Sequence, residues 1–264
     1  MLKTIDLMLG FNSNDGFAIV WWWAYLHRPK GSPRVPLAWN DTVLFLPVLH
    51  DLIRDYIQEN SLESIASVIH DVFSYTYLGL NKGNEKDNEN IAAITHDFIT
   101  DYWYRIATIE FSQLHTALGG SPFLYQLTQK KANDNEDITW LKGAKHGDDL
   151  DYIFPDVDSF LNRPKEEQRL SYNMIMYWTN FAKTGDPNKP SADPALPTVW
   201  PIFTAENGEY LDLSNNITPV DGITKADRVR LWTEFLPKVI ASAECGVRKI
   251  KRKLNRKEKK SDDI

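Results

Sequence analysis

The sequence predicts a protein of the α/β class. Short apolar runs bounded by turn residues are typical of strands, and they alternate along the chain with longer segments of helical periodicity. Strands that alternate with helices form a largely parallel sheet with helices on its faces. We see no internal repeat and no low-complexity linker in the 264 residues, so we expect one domain.

The strand-like runs stand at three places: residues 4–9, 123–127 and 210–213. We expect the first strand to stop at Gly10 and to run into a polar turn that ends at Gly16. Pro122 opens the second run. The turn after the first strand contains the first cluster of polar side chains in the sequence, and it is therefore a candidate for part of a functional site.

Helical periodicity covers four stretches: residues 42–79 with a break near Asn60, about 91–118, about 166–183, and from 228 onward. The stretch 42–79 is read as two helices, so the longest single helix is expected at about 91–118, where apolar residues recur every three or four positions along one face. Gly119 and Gly120 then supply the left-handed stop that ends many helices. The segments 81–90 and 140–154 are expected to be loops.

The charge of the chain is unevenly distributed. Residues 248–260 contain nine Lys or Arg and one Glu, whereas residues 1–247 carry 21 basic and 33 acidic groups, a net charge of −12. An acidic body disfavours binding to nucleic acid, whose phosphates are bound mainly by Lys and Arg. We expect a folded region at 1–240 and a basic tail at 241–264. We interpret the tail as a solvated segment. The alternatives are a nuclear signal and a membrane-surface tether.

Cysteine content, hydropathy and glycosylation motifs say little about the compartment. The single cysteine, Cys245, excludes an internal disulfide. No apolar run approaches the 18 residues of a membrane span, so we expect no contact with a membrane. Two glycosylation triplets begin at Asn40 and Asn216, and they favour secretion only slightly. The aromatic patch Trp21–Trp23 either lines a gorge or packs inside the protein, and we favour packing.

The sequence contains no motif that would bind a metal or a cofactor. The six histidines include no His-Glu-x-x-His arrangement, and no glycine-rich phosphate loop occurs. His70 and His96 lie in helical stretches beside aspartates, where a histidine is usually structural. We therefore expect no metal and no cofactor.

The strongest candidate for chemistry is His146, which is flanked by glycine and followed by Asp148 and Asp149. A loop histidine is most often a surface residue. The functional alternative is a general base, because the ordinary histidine pKa near 6.5 suits proton exchange at neutral pH.

Such a base needs an acid that holds its other ring nitrogen in one tautomer. Asp148 and Asp149 are close in sequence, but neighbours on a tight turn rarely reach back to that nitrogen. Asp15 is the better candidate, because a turn at the end of a strand can hold an acid rigidly beneath a distant loop. Its alternative is an ordinary Asp-Gly turn.

At these residues the sequence resembles the cholinesterase and type-B carboxylesterase family. The segment His146–Phe154 is similar to the family's histidine segment, Tyr177–Asn188 to a stretch that recurs throughout it, and Gly10–Gly16 to the turn that holds its acid. The resemblance covers about residues 4–238. It implies an α/β-hydrolase fold, which has a mixed sheet and long flanking helices. It also implies that His146 is the triad histidine and Asp15 the triad acid. Most of the family has Glu at the acid, and an Asp there resembles the bile-salt-activated lipase branch.

The resemblance also implies that the serine is elsewhere. Triad members of this fold follow the order Ser, acid, His, and the only near match to Gly-x-Ser-x-Gly here is the segment 119–123, which ends in Phe. No glycine-rich oxyanion segment occurs either. We therefore expect residues 1–240 to be the C-terminal part of a carboxylesterase domain that hydrolyses nothing alone.

Three functions remain open after the resemblance. The first is a serine carboxylesterase or lipase that acts on a small-molecule or lipid ester, with its serine in the missing half. The second is a non-catalytic, neuroligin-like adhesion protein, and the third is an inactive truncated product. Asp15 favours the hydrolases, while the lack of a stalk or span after residue 240 disfavours adhesion. The full-length protein is expected to be secreted or extracellular. The oligomeric state is not predicted.

Overall fold

The strands form one mixed sheet whose order follows the chain. In the computed structural model, which describes residues 4–19, 22, 45–79, 88–132, 141–189 and 196–243, this sheet has four strands. They are β1 (Met8–Asn12), β2 (Phe123–Leu127), β3 (Tyr210–Leu213) and β4 (Thr218–Val220). The first three are parallel neighbours, and β4 runs antiparallel beside β3. The predicted α/β class is confirmed.

Helices precede and follow these strands. Their bounds are α1 (Phe45–Glu59), α2 (Ala66–Phe73, continued by Ser74–Leu78), α3 (Asn88–Ile99, Thr100–Arg105 and Ile106–Ala117), α4 (Asp148–Ile153), α5 (Val157–Leu161), α6 (Lys165–Thr184) and α7 (Ala226–Arg230, Leu231–Phe235 and on to residue 243). The predicted long helix corresponds to α3, whose middle segment has the wider π-helical winding. Within the described ranges, no helix is long and apolar enough to cross a membrane.

The first strand differs from its prediction. It does not end at Gly10 but continues to Asn12, which pairs with Leu127. Gly10 lies directly against Tyr125, and a Cβ added there would overlap the Tyr125 ring. The glycine therefore marks a close approach of β1 and β2 rather than a turn. As a consequence, the polar turn begins two residues later, at the carboxyl end of β1.

The loop predicted at 140–154 is wrong in its second half, where α4 is helical. Three acidic residues in the first turn of α4 favour a helix start, because carboxylates interact well with the positive end of the helix dipole. The short strand β4 was not predicted. Residues 88–90 of the predicted loop 81–90 are helical, and 81–87 lie outside the described ranges.

Two apolar cores hold the sheet between its helices. One is built by α1, α2, α3 and α7, and its centre is the aromatic group of Phe73, Phe98 and Trp232. The other lies between the sheet and α6, around Trp200 and Tyr177. The Trp200 indole donates to the backbone oxygen of Leu124 in β2 at 2.9 Å, which fixes this core to the central strand.

Several predictions fall outside the described ranges. These concern Trp21, Trp23, Asn40, Cys245 and the part of the basic tail from 244 onward. Trp22 of the aromatic patch is exposed. In the described part of the chain, no strand pairs with the outer edge of β1.

Candidate catalytic pair

Asp15 and His146 meet at the carboxyl ends of β1 and β2, although 131 positions separate them in the chain. The ring nitrogen Nδ1 of His146 lies 2.9 Å from Asp15 Oδ1. The Asp15 side chain is 5% exposed and that of His146 is 47% exposed. The acid is therefore enclosed by protein, while the base faces outward.

Asp15 is held by the turn on which it stands and by α3 below it. Its second oxygen, Oδ2, accepts the backbone N–H of Asn12 at 2.6 Å. The next residue, Gly16, donates its backbone N–H to the Thr100 hydroxyl at 3.0 Å. Gly16 also lies so close to α3 that a Cβ would be 2.9 Å from Ile99 Cβ. The carboxylate thus has little freedom to move away from the imidazole.

The loop that carries His146 is bonded to the same turn. The Ser13 hydroxyl accepts the backbone N–H of Ala144 at 3.0 Å, and the backbone N–H of Asn14 donates to the Ala144 carbonyl at 2.8 Å. The Asn14 amide also donates to the Lys142 carbonyl. These contacts bring two distant loops into one rigid unit.

The charge of Asp15 is set by two opposing effects. Burial raises the pKa of Asp15 above its ordinary value, while the hydrogen bonds from His146 and from the Asn12 backbone oppose that rise. The charge of Asp149 raises the pKa further. A buried carboxylate of this kind stabilises a positive charge on its neighbour more strongly than a solvated one, because little water screens the pair.

The side chains of Asp148 and Asp149 form hydrogen bonds with groups other than the His146 ring. Asp148 accepts the backbone N–H of Lys145 at 2.7 Å and pairs with Lys131 at 2.8 Å. Asp149 accepts the Tyr125 hydroxyl at 3.2 Å. Both therefore support the loop and do not take the place of Asp15 at the His146 ring.

Within the described residues, an aromatic ring of α3 packs against the His146 imidazole. The centroid of Tyr104, on α3, lies 5.2 Å from that of the imidazole. Among the described residues, no group forms a hydrogen bond with His146 Nε2.

Other histidines of the described part have structural surroundings. Burial lowers the pKa of His96 to about 4, and its Nδ1 lies 2.6 Å from the Ala92 carbonyl. His70 and His50 are hydrogen-bonded to each other at 2.9 Å, and His115 bonds the Ile5 carbonyl. Within the described residues, no group of three metal-binding side chains occurs.

Ser121, the serine of the near match to a nucleophile motif, lies away from Asp15 and His146. It is exposed and precedes β2, whereas Asp15 and His146 lie at the opposite end of that strand. The five residues of β2 span about 16 Å at the usual rise of a strand. The near match to a nucleophile motif at 119–123 is thus too far away to pass a proton to His146.

The sequence interpretation missed the polar residues that hold the pair, above all Asn12. A usable signal was present, because Asn12, Ser13 and Asn14 stand together directly before Asp15. A strand end with several short polar side chains is able to bond a neighbouring loop, as these residues do.

The pair as a whole has the features of a general base and its orienting acid. An ionised Asp15 facing Nδ1 would favour the tautomer that has its proton on Nδ1, and Nε2 would then be the nitrogen that can accept a proton. Asp15 would then stabilise the imidazolium that results. The described residues thus bring an imidazole and an enclosed carboxylate into the contact that a general base and its orienting acid require.

Known proteins are similar to this chain over much of its length. The model of the carboxylesterase family matches residues 2–232. Acetylcholinesterase 1 of Caenorhabditis elegans is 30% identical over 219 residues, which cover 77% of this chain and 32% of the relative. Carboxylesterase 5A of Mus musculus is 30% identical over 155 residues, 56% of this chain and 26% of the relative. Acetylcholinesterase 1 of Caenorhabditis briggsae is 30% identical over 151 residues, 54% of this chain and 24% of the relative.

The chain therefore spans about a third or less of the length of these relatives. The family match nevertheless extends over most of the chain and includes both Asp15 and His146. The chain belongs to the carboxylesterase family.

Proposed function

We propose that this chain supplies the acid and the general base of a serine carboxylesterase, and that a segment outside this sequence supplies the serine. The observation that carries the proposal is the bond of 2.9 Å between His146 Nδ1 and the enclosed Asp15 carboxylate. In the reaction, His146 Nε2 takes the serine proton during attack on an ester carbonyl and returns it to the departing alcohol. Water then releases the acyl group.

The substrate class follows from the family and from this chemistry: a small or lipid-like carboxylic ester. The chain alone has neither a Gly-x-Ser-x-Gly segment nor a glycine-rich oxyanion segment in its 264 residues. We therefore expect the isolated chain to hydrolyse p-nitrophenyl acetate and p-nitrophenyl butyrate no faster than buffer does. It should also remain unlabelled by a fluorophosphonate, which reacts with activated serines.

The experiment has two parts. The isolated chain is assayed first, and turnover that a fluorophosphonate blocks would contradict the proposal. The coding sequence upstream of Met1 is then read for a serine elbow, and the longer polypeptide is expressed and assayed with the same esters. We expect turnover that falls about 10⁴-fold in His146→Gln, the usual scale for loss of a triad function.

A matched control separates catalysis from folding. His115 is buried and bonds a backbone carbonyl far from the pair, so His115→Gln tests the loss of a structural histidine. We expect the longer polypeptide to keep its turnover per folded molecule in this variant. Unchanged turnover in His146→Gln would refute the role of His146, and an upstream elbow without serine would favour the adhesion function instead.

A further inference from the structure

We propose that Asn12 is a positioning residue that sets the geometry of the His146–Asp15 pair. This inference deepens the proposed function and rests on it. Asn12 is the last residue of β1, is 2% exposed, and contacts both loops of the pair. None of its described hydrogen bonds goes to the imidazole itself.

The two ends of Asn12 bond to the two partners of the pair. Its backbone N–H donates to Asp15 Oδ2 at 2.6 Å. Its side-chain amide donates to the Lys145 carbonyl at 2.8 Å and to Asp149 Oδ1 at 3.2 Å. One residue therefore fixes the acid through its backbone and the histidine loop through its side chain.

The position of these bonds in the loop gives Asn12 its particular role. Lys145 directly precedes His146, and Asp149 follows it by three residues, so the Asn12 amide bonds both flanks of the histidine. Apart from the His146–Asp15 contact, the other hydrogen bonds between the two loops within the described residues involve Lys142 and Ala144, which both precede His146. Asp149 is held in turn by the Tyr125 hydroxyl of β2.

Truncation of the amide would release both flanks without changing a charge. In Asn12→Ala the backbone bond to Asp15 remains possible, while the Lys145 carbonyl and Asp149 Oδ1 lose a buried donor. A buried acceptor without its donor is costly, and the loop is expected to move until water reaches it. The His146 ring would then lose its alignment with Asp15 while the fold persists.

The test reads the imidazole directly and requires no serine. The chain is labelled with ¹⁵N, and the ring nitrogens of His146 are recorded at pH 8.5, above the ordinary histidine pKa. We expect the wild-type chain to show one tautomer, with the proton on Nδ1. In Asn12→Ala we expect a mixture of tautomers and about tenfold faster solvent exchange of the Nδ1 proton, the scale set by loss of a buried hydrogen bond.

Asn180→Ala is the matched control. Asn180 is 4% exposed, and its amide donates to the Pro187 carbonyl at 3.1 Å, at the end of α6 away from the pair. A merely structural role of Asn12 predicts the same spectrum for His146 in both variants, and that result would overturn the proposal. If Asn12→Ala does not fold, Asn12→Ser is measured instead, because its single short hydroxyl cannot bond both flanks.

The outcomes for this inference and for the proposed function are distinguishable. A wild-type chain without a protonated Nδ1 would overturn the pairing itself, and the role of Asn12 with it. A single tautomer in wild type that survives in Asn12→Ala would overturn only the role of Asn12. Absence of esterase activity in the longer polypeptide would leave the tautomer result standing and would overturn only the catalytic proposal.

Discussion

Gly16→Ala tests how far the pair depends on close contact with α3. The glycine follows Asp15, and an added Cβ would lie 2.9 Å from both Ile99 Cβ and the Thr100 backbone nitrogen. Ordinary contacts of this kind begin at 3.4 Å, so the turn would have to move outward by at least about 0.5 Å. The added Cβ would lie closer still to the carbonyl oxygen of His96. That oxygen belongs to the helix backbone and cannot rotate away.

This displacement has two expected consequences. Overpacking of a tight contact usually costs about 1–3 kcal/mol, so the free energy of unfolding should fall by that amount in urea denaturation. The shift also moves Asp15 relative to His146, and misplacement by about 1 Å is associated with a rate loss of about 100-fold in a complete enzyme. In the isolated chain, the ¹⁵N spectrum of His146 should report the same loss of alignment.

Gly79→Ala separates the contact from a general effect of adding a methyl group. Gly79 has a φ of +75°, and a Cβ added there would have no neighbour within 4 Å, so alanine is strained at this position but meets no other atom. Because φ +75° with ψ 179° is a conformation essentially confined to glycine, we expect a cost of about 1–3 kcal/mol, together with an unchanged His146 spectrum. If Gly16→Ala behaved like Gly79→Ala in both measurements, the contact with α3 would not hold Asp15 in place.

Three further predictions follow from buried groups. Because burial raises the pKa of Asp15, the folded chain keeps a proton at pH values where the unfolded chain has released it. The free energy of unfolding therefore falls as pH rises from the ordinary pKa of 3.8 through the raised one. Asp15→Asn should flatten that fall in urea melts from pH 3 to 8, and an unchanged slope would contradict this. Trp200→Phe should cost about 1–3 kcal/mol, since it removes the donor to a buried carbonyl, and a loss below 0.5 kcal/mol (about the error of a urea melt) would count against it. Asp101→Asn should cost about 3–5 kcal/mol, because it leaves the buried Arg105 guanidinium without its ion pair; thermal melts that coincide with wild type would refute this.

The sequence could predict those parts of the fold that depend on local pattern. Residues 210–213 were predicted as a strand and form β3, and the periodic apolar face at 91–118 identified most of α3. Gly10 was misinterpreted because a glycine stops a strand in one context and permits close packing in another. The partner that decides between them, Tyr125, is 115 positions away in the chain, and local pattern contains no information about it.

The same limit applies to the site. His146 and Asp15 were assigned as a candidate pair with the help of a family resemblance, which adds information that local spacing lacks. Asn12 was missed because its role consists of bonds to Lys145 and Asp149, more than 130 positions away. Such contacts exist only once the sheet has brought β1 beside the histidine loop, so a polar residue at a strand end could be recognised as possible support but not assigned a partner.

The way in which Asp15 is held has a consequence for its chemistry. In the described part of the chain, its carboxylate accepts hydrogen bonds from the His146 ring and from the neutral backbone amide of Asn12. A lysine or arginine fixed at Asp15 would position the acid equally well, but it would compensate the negative charge before the reaction begins. Neutral donors fix the carboxylate and, in the proposed reaction, would leave its charge to the imidazolium that forms when His146 takes a proton. The raised pKa of Asp15 is the stability cost of that arrangement, and the dense bonding of residues 12–16 to α3 and to the histidine loop offsets it.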